Sequence, residues 1–215
     1  MPAATPTKRA RTRAALLVAL QELLLDPDVA TVSVPLVVGR AGAAQGTFYN
    51  YFDSLPEAID GVGALILTEH TRILEAVTAG AADQGELVAR SARQTLMLLA
   101  HRPDIGRLLF DSGLPADRFL GGVRAHLHAD LQRGIDTGDF VVADFEVVCT
   151  IYAGVTLGAC LDIYRGRLSV DAVPEVVGYL LRVLGVSARK AQRLVTAPQE
   201  FVQCAPFPLS AIEEV

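Results

Sequence analysis

The stretch "AGAAQGTFYNYFDSLPEAI", residues 41–59, contains the densest group of aromatic residues in this chain. The chain has eight Phe, five Tyr and no Trp, and four of these aromatics fall within residues 48–52. They follow a small-residue turn at 41–43 and surround a single polar residue, Asn50. This pattern is typical of a short helix that packs one side into a core and exposes the other. The alternative is an aromatic cluster that is core on every side.

The residues before this stretch predict two further helices. Apolar residues at helical spacing follow Arg11, and the sequence "DPD" at 26–28 ends this first helix because proline cannot continue it. Ser33 as N-cap and Pro35 in the first turn predict a short second helix that ends near Arg40. With the helix of the quoted stretch, they predict a helix-turn-helix, whose last helix can lie in the major groove of DNA.

Spacing separates an anchoring side of the third helix from a side that contacts DNA. Phe48 and Phe52 are four residues apart and face one side, whereas Gln45 and Tyr49 face another. Hydroxyl and guanidinium groups bond phosphates, and the amides of Gln and Asn suit an adenine edge. The candidate DNA-binding residues on these grounds are Arg11, Arg13, Gln45, Gly46, Thr47, Tyr49, Asn50 and Tyr51.

Charge is unevenly distributed along the chain. The net charge is −5, yet residues 1–52 carry five basic and only three acidic residues. A basic N-terminal end next to a helix-turn-helix favours contact with double-stranded DNA. The alternative is a solubilising tail with no partner.

Residues 11–59 resemble the DNA-binding domain of the tetracycline-repressor (TetR) family of bacterial transcription regulators. The stretch that carries the resemblance is "SVPLVVGRAGAAQGTFYNYFDSLPEAI", residues 33–59, with its apolar helix, Ala-Gly, Gly-Thr, Tyr and Phe in order. The resemblance implies that Thr47 and Tyr49 contact phosphates. It also implies that Ser33 makes a capping contact at the start of the second helix, which adds Ser33 to the candidate DNA-binding residues.

Three positions depart from the family pattern. Ala44 stands where a Ser or Thr usually caps the recognition helix, Gln45 where a basic residue is common, and Leu55 where a phosphate-binding Lys is usual. Each neutralised phosphate adds about one unit to the salt dependence of DNA binding. A shallower salt dependence is therefore expected.

The rest of the chain predicts an all-α fold, because no stretch alternates cleanly over the length of a strand. Ser54 and Glu57 form a capping box that begins a long helix reaching about Ala79. Further helices are predicted at 85–101, 104–112, 116–137, 141–166 and 172–193. We therefore expect an N-terminal arm and helix-turn-helix domain at 1–54, and a larger helical ligand-binding and dimerisation domain at 55–215.

The last two long helices are candidates for a homodimer interface, which the resemblance also implies. The helix that includes Phe145 is apolar on two sides and must be covered on both. The alternative is the ordinary core of a monomer. The predicted interface residues are Ile151, Gly154, Gly158, Val173, Val177, Leu180, Leu181 and Leu184.

The resemblance implies a small-molecule effector bound within the helical domain. Such pockets are mostly apolar with a few polar groups, so we expect a small apolar or amphipathic effector and no cofactor. For each candidate residue the alternative is plain core packing. The candidates are Met97, Phe110, Phe119, Tyr152 and Thr156.

Other classes of function have weaker support. His126 and His128 are two residues apart and lack the four-residue spacing of a helical zinc pair, so neither an enzyme nor a metal site is expected. An adaptor that has kept this fold and lost DNA binding stays open. The expected function is a ligand-responsive transcriptional regulator, a repressor that binds a palindromic operator as a homodimer.

The sequence also predicts a cytoplasmic protein without a membrane segment. The three cysteines, Cys149, Cys160 and Cys204, lack the spacing of a disulfide framework. No run approaches the roughly 18 apolar residues that span a bilayer. The tail after residue 196 contains Pro198, Pro206 and Pro208 and is not expected to form one helix.

Overall fold

The computed structural model describes residues 7–112 and 116–210, except for the side chains of 116–123. In these residues the regular structure is helical, with ten α-helices and one 3-10 turn at Val170–Ala172. The all-α class is therefore confirmed. The helices are α1 (Lys8–Leu25), α2 (Val34–Arg40), α3 (Gln45–Phe48), α4 (Leu55–Thr78), α5 (Gln84–His101), α6 (Pro103–Phe110), α7 (Ala116–Asp136), α8 (Phe145–Tyr164), α9 (Val173–Val183) and α10 (Ala188–Thr196).

The chain forms two compact units. The first comprises Met1–Glu69, Arg107–Phe119 and Ala205–Val215, and the second comprises His70–Gly106 and Leu120–Cys204. The division at residue 69 falls inside α4. The boundary expected at residue 54 stays a prediction.

The core of the first unit is built mainly by α1, α2, α3 and the first half of α4. Its buried residues are Leu16, Leu17, Leu20, Leu23, Leu24, Val37, Val38, Phe48, Phe52, Ala58, Val62, Ile66, Leu108 and Leu209. The chain reverses between α2 and α3 at Gly42, whose φ of +64° favours glycine. The N–H of Ala43 donates to the carbonyl oxygen of Val38 at 2.9 Å, which closes the end of α2.

The start of α4 differs in detail from the predicted capping box. The Glu57 N–H donates to Ser54 Oγ at 3.3 Å, as expected. The Glu57 carboxylate, however, accepts from the N–H of Asp53 rather than from that of Ser54. Both side chains still satisfy free donors at the helix start.

In the second unit α5, α8, α9 and α10 pack together. The single helix predicted at 172–193 is wrong, because the chain forms α9, a turn and α10 there. Gly185 has a φ of +82°, which ends the first helix, and the Ser187 side chain accepts from the N–H of Lys190 to begin the next.

One helix meets the criteria for a membrane span. Within the part of the chain that the structure describes, α8 alone is long and apolar enough, by length and composition, to cross a bilayer. No such run was expected from the sequence. A core helix of a soluble protein passes the same test, and Cys149, Tyr152 and Ile163 on α8 are buried inside the second unit.

Candidate DNA-binding surface and effector site

The short helix α3 buries one side and exposes the other. Phe48 is fully buried and Phe52 nearly so, and their ring centres lie 5.4 Å apart in the core of the first unit. Tyr49 is 54% exposed, and its ring meets Phe48 edge-on at 5.5 Å. The Phe48 contact therefore packs one edge of the Tyr49 ring, while about half of the residue stays open to solvent.

The remaining candidates on this segment surround Tyr49. Gln45, Gly46 and Asn50 are exposed, and Thr47 and Tyr51 are half-buried. Helix α3 ends at Phe48, and the next residues continue as tight turns. Ala44 occupies the N-cap without a side-chain hydrogen bond, as its methyl group requires.

Basic residues of α1 lie next to this segment. Arg13 places its guanidinium 5.2 Å from the ring centre of Phe52, and Arg11 is exposed. Arg9, which is not among the residues predicted from the sequence, lies over the Tyr51 ring at 5.1 Å. Its four-residue spacing from Arg13 was the available signal, because residues at that spacing share one helix face.

Ser33 takes its predicted place but makes no capping bond. It is the N-cap residue of α2, with an extended backbone, and its side chain makes no capping hydrogen bond. Pro35 stands in the first turn, as predicted. The capping contact that the resemblance implied is therefore not formed by this hydroxyl.

The candidate effector residues fall into different parts of the fold. Tyr152 and Thr156 are one turn apart on α8, and Met97 is half-buried on α5 in the same second unit. Phe110 belongs to the first unit, and the Phe119 side chain lies outside the described residues. The Thr156 Oγ1 atom is buried without a hydrogen-bond partner, which identifies it as an available polar group.

Burial keeps two interior side chains of the second unit, Tyr152 and His70, uncharged at neutral pH. Burial, with a smaller effect of Asp130, raises the pKa of the Tyr152 phenol far above its ordinary range. Burial and the neighbouring His126 lower the pKa of His70 to about 4. The Nε2 atom of His70 lies 3.0 Å from Thr95 Oγ1, within hydrogen-bond distance. At neutral pH these side chains offer uncharged donors and acceptors.

The predicted interface residues divide between the surface and the core. Ile151, Gly154 and Gly158 are exposed on α8. The predicted apolar stripe after residue 172 is instead buried within its own chain, because it packs in the second unit. Its residues are 2% exposed or less: Val173, Val177, Leu180, Leu181 and Leu184. The large apolar residues that are exposed on α9 are Tyr179 and Val183.

No metal cluster is found in the described residues: no group of three or more His, Cys, Asp or Glu side chains there could hold an ion.

Comparisons with known proteins agree with this arrangement. The family model described as "Tetracyclin repressor-like, C-terminal domain" matches residues 83–197. The structure of RolR in complex with resorcinol has a TM-score of 0.71 and 23% identity, and covers 92% of this chain and 98% of RolR. FadR from Bacillus subtilis in complex with stearoyl-CoA has a TM-score of 0.62 and 18% identity, covering 79% of this chain and 97% of FadR. No curated protein matches.

Proposed function

Because the chain belongs to the tetracycline-repressor (TetR) family of transcription regulators, we propose that it represses transcription by binding a palindromic operator as an effector-responsive homodimer. The observation that carries this proposal is the two-sided packing of α3. Phe48 and Phe52 anchor it, while Gln45 and Tyr49 remain exposed. We assign DNA binding to residues 1–54, and effector binding and dimerisation to residues 55–215, in a cytoplasmic protein.

The two kinds of DNA contact are expected from different side chains. Thr47 and Tyr49 offer hydroxyls to phosphates, and Arg11 offers a charged group from the adjacent helix. Gln45 and Asn50 carry amides that match an adenine edge in the major groove. Phosphate contacts supply affinity for any sequence, whereas the amides supply preference for one.

Selection of fragments from a random duplex pool tests DNA binding. We expect the purified protein to recover a palindrome whose half-sites lie about 34 Å apart, one helical turn. Tyr49→Phe removes only the hydroxyl and should weaken affinity for all sequences, whereas Gln45→Ala should weaken it chiefly for the selected one. A folded dimer that recovers nothing above background contradicts this function and favours an adaptor without DNA binding.

We propose that a second copy of the chain packs against the exposed apolar face of α8 and α9. Val147, Ile151 and Val155 are exposed on α8 at helical spacing. A Cβ atom added at Gly154 or Gly158 would meet nothing within 4 Å in its own chain, so a partner helix can approach closely there. A continuous apolar face of this kind marks an interaction site.

The mass in solution tests the homodimer. We expect twice the 22.9 kDa of one chain by light scattering. Ile151→Glu should shift the protein toward the monomer, because it places a charge in the apolar face. Ala129→Glu, at an exposed position of α7, is the matched control and should leave the dimer intact. Equal behaviour of the two variants contradicts this interface.

The effector is proposed to be small, uncharged and partly apolar. Thr156 offers an unpartnered buried hydroxyl, Tyr152 stays protonated, and His70 stays neutral. No charged side chain among these would offset the loss of water around an ionised ligand. Resorcinol, named in the complex of the structurally similar RolR, has these properties and is the first probe.

Calorimetry with resorcinol and with benzoate tests the class of effector. We expect heat of binding with the uncharged phenol and none with the anion at neutral pH. We also expect bound effector to weaken affinity for the selected operator, because it shifts the two recognition helices away from a one-turn spacing. Tighter binding of benzoate than of resorcinol contradicts the proposed chemistry.

A further inference from the structure

The segment after α10 is bound through its backbone by side chains of the second unit. We call residues 197–209 the C-terminal strap. Arg93 Nη1 donates to the Ala197 carbonyl oxygen at 2.7 Å. Gln94 bonds both polar groups of Val202: its Nε2 donates to the carbonyl oxygen at 2.8 Å, and its Oε1 accepts from the N–H at 3.1 Å.

The same arrangement recurs in the first unit at the other end of the strap. Gln21 Oε1 accepts from the N–H of Leu209 at 2.8 Å, and its Nε2 donates to the Leu209 carbonyl oxygen at 2.9 Å. Gln21 is fully buried and Gln94 is 1% exposed. Two buried glutamines, far apart in sequence, therefore each hold one residue of the strap by both of its backbone groups.

The strap accounts for both buried glutamines, although Gln21 Nε2 also lies 3.2 Å from the Leu17 carbonyl oxygen of its own helix. A buried amide is unfavourable unless its donor and acceptor are bonded, and both helices are otherwise rich in buried Leu and Ala. The strap in turn depends on the glutamines, because an extended segment has no hydrogen bonds within itself. Its prolines reduce that need, since Pro198, Pro206 and Pro208 have no N–H to satisfy.

Further bonds fix the strap between the two anchors. Arg102 Nη1 donates to the Cys204 carbonyl oxygen at 3.1 Å, within the second unit. The Ala205 N–H donates to Glu69 Oε1 at 2.7 Å, within the first unit. The Phe201 ring stacks on His101 at 4.5 Å. The strap is thus bound on each side of the division between the units, with only the short segment 203–208 between its anchor residues.

The two helices that hold the anchors have different roles in the proposed function. Helix α5 also carries Met97 and Thr95, the latter within hydrogen-bond distance of His70. Helix α1 carries the exposed arginines Arg11 and Arg13. We propose that the C-terminal strap couples these helices, so that release of its Val202 anchor also releases its Leu209 anchor. Only the regulatory role of this coupling rests on the proposed function.

Hydrogen exchange in the full-length protein tests the coupling. Gln94→Met removes the bonds to Val202 and leaves Gln21 intact. We expect the Leu209 amide to exchange about tenfold faster in this variant than in the wild type. Gln192→Met, at an exposed position of α10, is the matched control and should change neither amide. Faster exchange near Val202 with an unchanged Leu209 amide would overturn the proposal.

A second variant tests whether loss of the Leu209 anchor releases the Val202 anchor, and it changes no residue of a helix. A chain that ends at Cys204 lacks the Leu209 anchor, and we expect its Val202 amide to exchange about tenfold faster, since coupling is reciprocal. An unchanged Val202 amide contradicts the coupling even if Gln94→Met does not fold.

These exchange measurements need neither DNA nor effector, so they decide the coupling even if the protein binds no DNA and the proposed function fails. If the selected operator is bound, saturating DNA should slow exchange of the Val202 amide. Unchanged exchange at Val202 with bound DNA would rule out a regulatory role for the strap.

Discussion

The Arg9 guanidinium lies over the ring of Tyr51, 5.1 Å from its centre. The same group donates to the carbonyl oxygen of Asn50 at 3.2 Å. Arg9 therefore connects the start of α1 to the turn that follows α3. It positions that turn by a cation–π contact and a charge-assisted hydrogen bond.

We predict that Arg9→Ala lowers both stability and DNA affinity. Loss of an exposed cation–π contact should reduce the free energy of unfolding by about 0.5–1 kcal/mol in urea denaturation. Arg11→Ala is the control, because Arg11 is an exposed residue of the same helix. It should lower DNA affinity with little change in stability. Equal stability of the two variants would show that the Tyr51 contact contributes nothing.

Replacement of glycine by alanine should have opposite effects on stability at Gly42 and at Gly39. Gly42 has a φ of +64°, whereas Gly39 lies within α2, and neither would place an added Cβ atom within 4 Å of another group. Gly42→Ala should destabilise the protein by about 1–2 kcal/mol, since only the backbone conformation opposes it. Gly39→Ala should stabilise it by about 0.5–1 kcal/mol. Thermal unfolding measures both, and a neutral Gly42→Ala contradicts the assigned turn.

Local sequence signals predicted the helix-turn-helix and most helix positions. Pro35, Gly42 and the Ser54–Glu57 pair each act on neighbouring backbone, so their effect is visible in the sequence itself. The turn at Gly185 and Ser187 carried the same kind of signal, yet the apolar spacing around it favoured one continuous helix. The apolar pattern of α9 identified an apolar stripe correctly and could not tell whether its own chain or a second copy covers it.

The C-terminal strap could not be predicted from local pattern. Its anchors pair Gln21 with Leu209 and Gln94 with Val202, across more than a hundred residues in each case. A buried glutamine in a helix looks like any other polar residue until the segment that satisfies it is known. For Arg9, the spacing from Arg13 indicates the helix face it shares, but its partners Asn50 and Tyr51 lie after α3 and could not be predicted from that spacing.

Stability should fall as the pH is lowered below 6.5 because of His70. Its pKa is about 4 in the folded protein and 6.5 unperturbed. Between these values the unfolded chain binds more protons than the folded chain. The contribution of His70 to the free energy of unfolding is therefore fully present above pH 6.5 and is lost as the pH falls toward 4. We expect a loss of about 1–3 kcal/mol over that window.

Urea denaturation of wild type and His70→Gln between pH 7 and pH 5 measures this contribution. The free energy of unfolding should decrease less in His70→Gln than in the wild type, since Gln does not titrate. Gln192→Met, at an exposed residue that does not titrate, should keep the wild-type decrease. Carboxylates such as Asp83 and Glu86, whose pKa values are lowered, titrate mainly below this range. Identical decreases in wild type and His70→Gln would contradict the assignment to His70.

Thr156→Val should raise the stability of the effector-free protein and weaken effector binding. The Thr156 hydroxyl is buried without a partner, so replacing it with a methyl group of similar shape should add about 1 kcal/mol to the free energy of unfolding. If this hydroxyl bonds the effector, resorcinol affinity should fall about tenfold by calorimetry. Thr150→Val, at an exposed position of the same helix, should leave both quantities within about 0.5 kcal/mol of wild type. A gain in stability with unchanged affinity would mean that Thr156 is not part of the effector site.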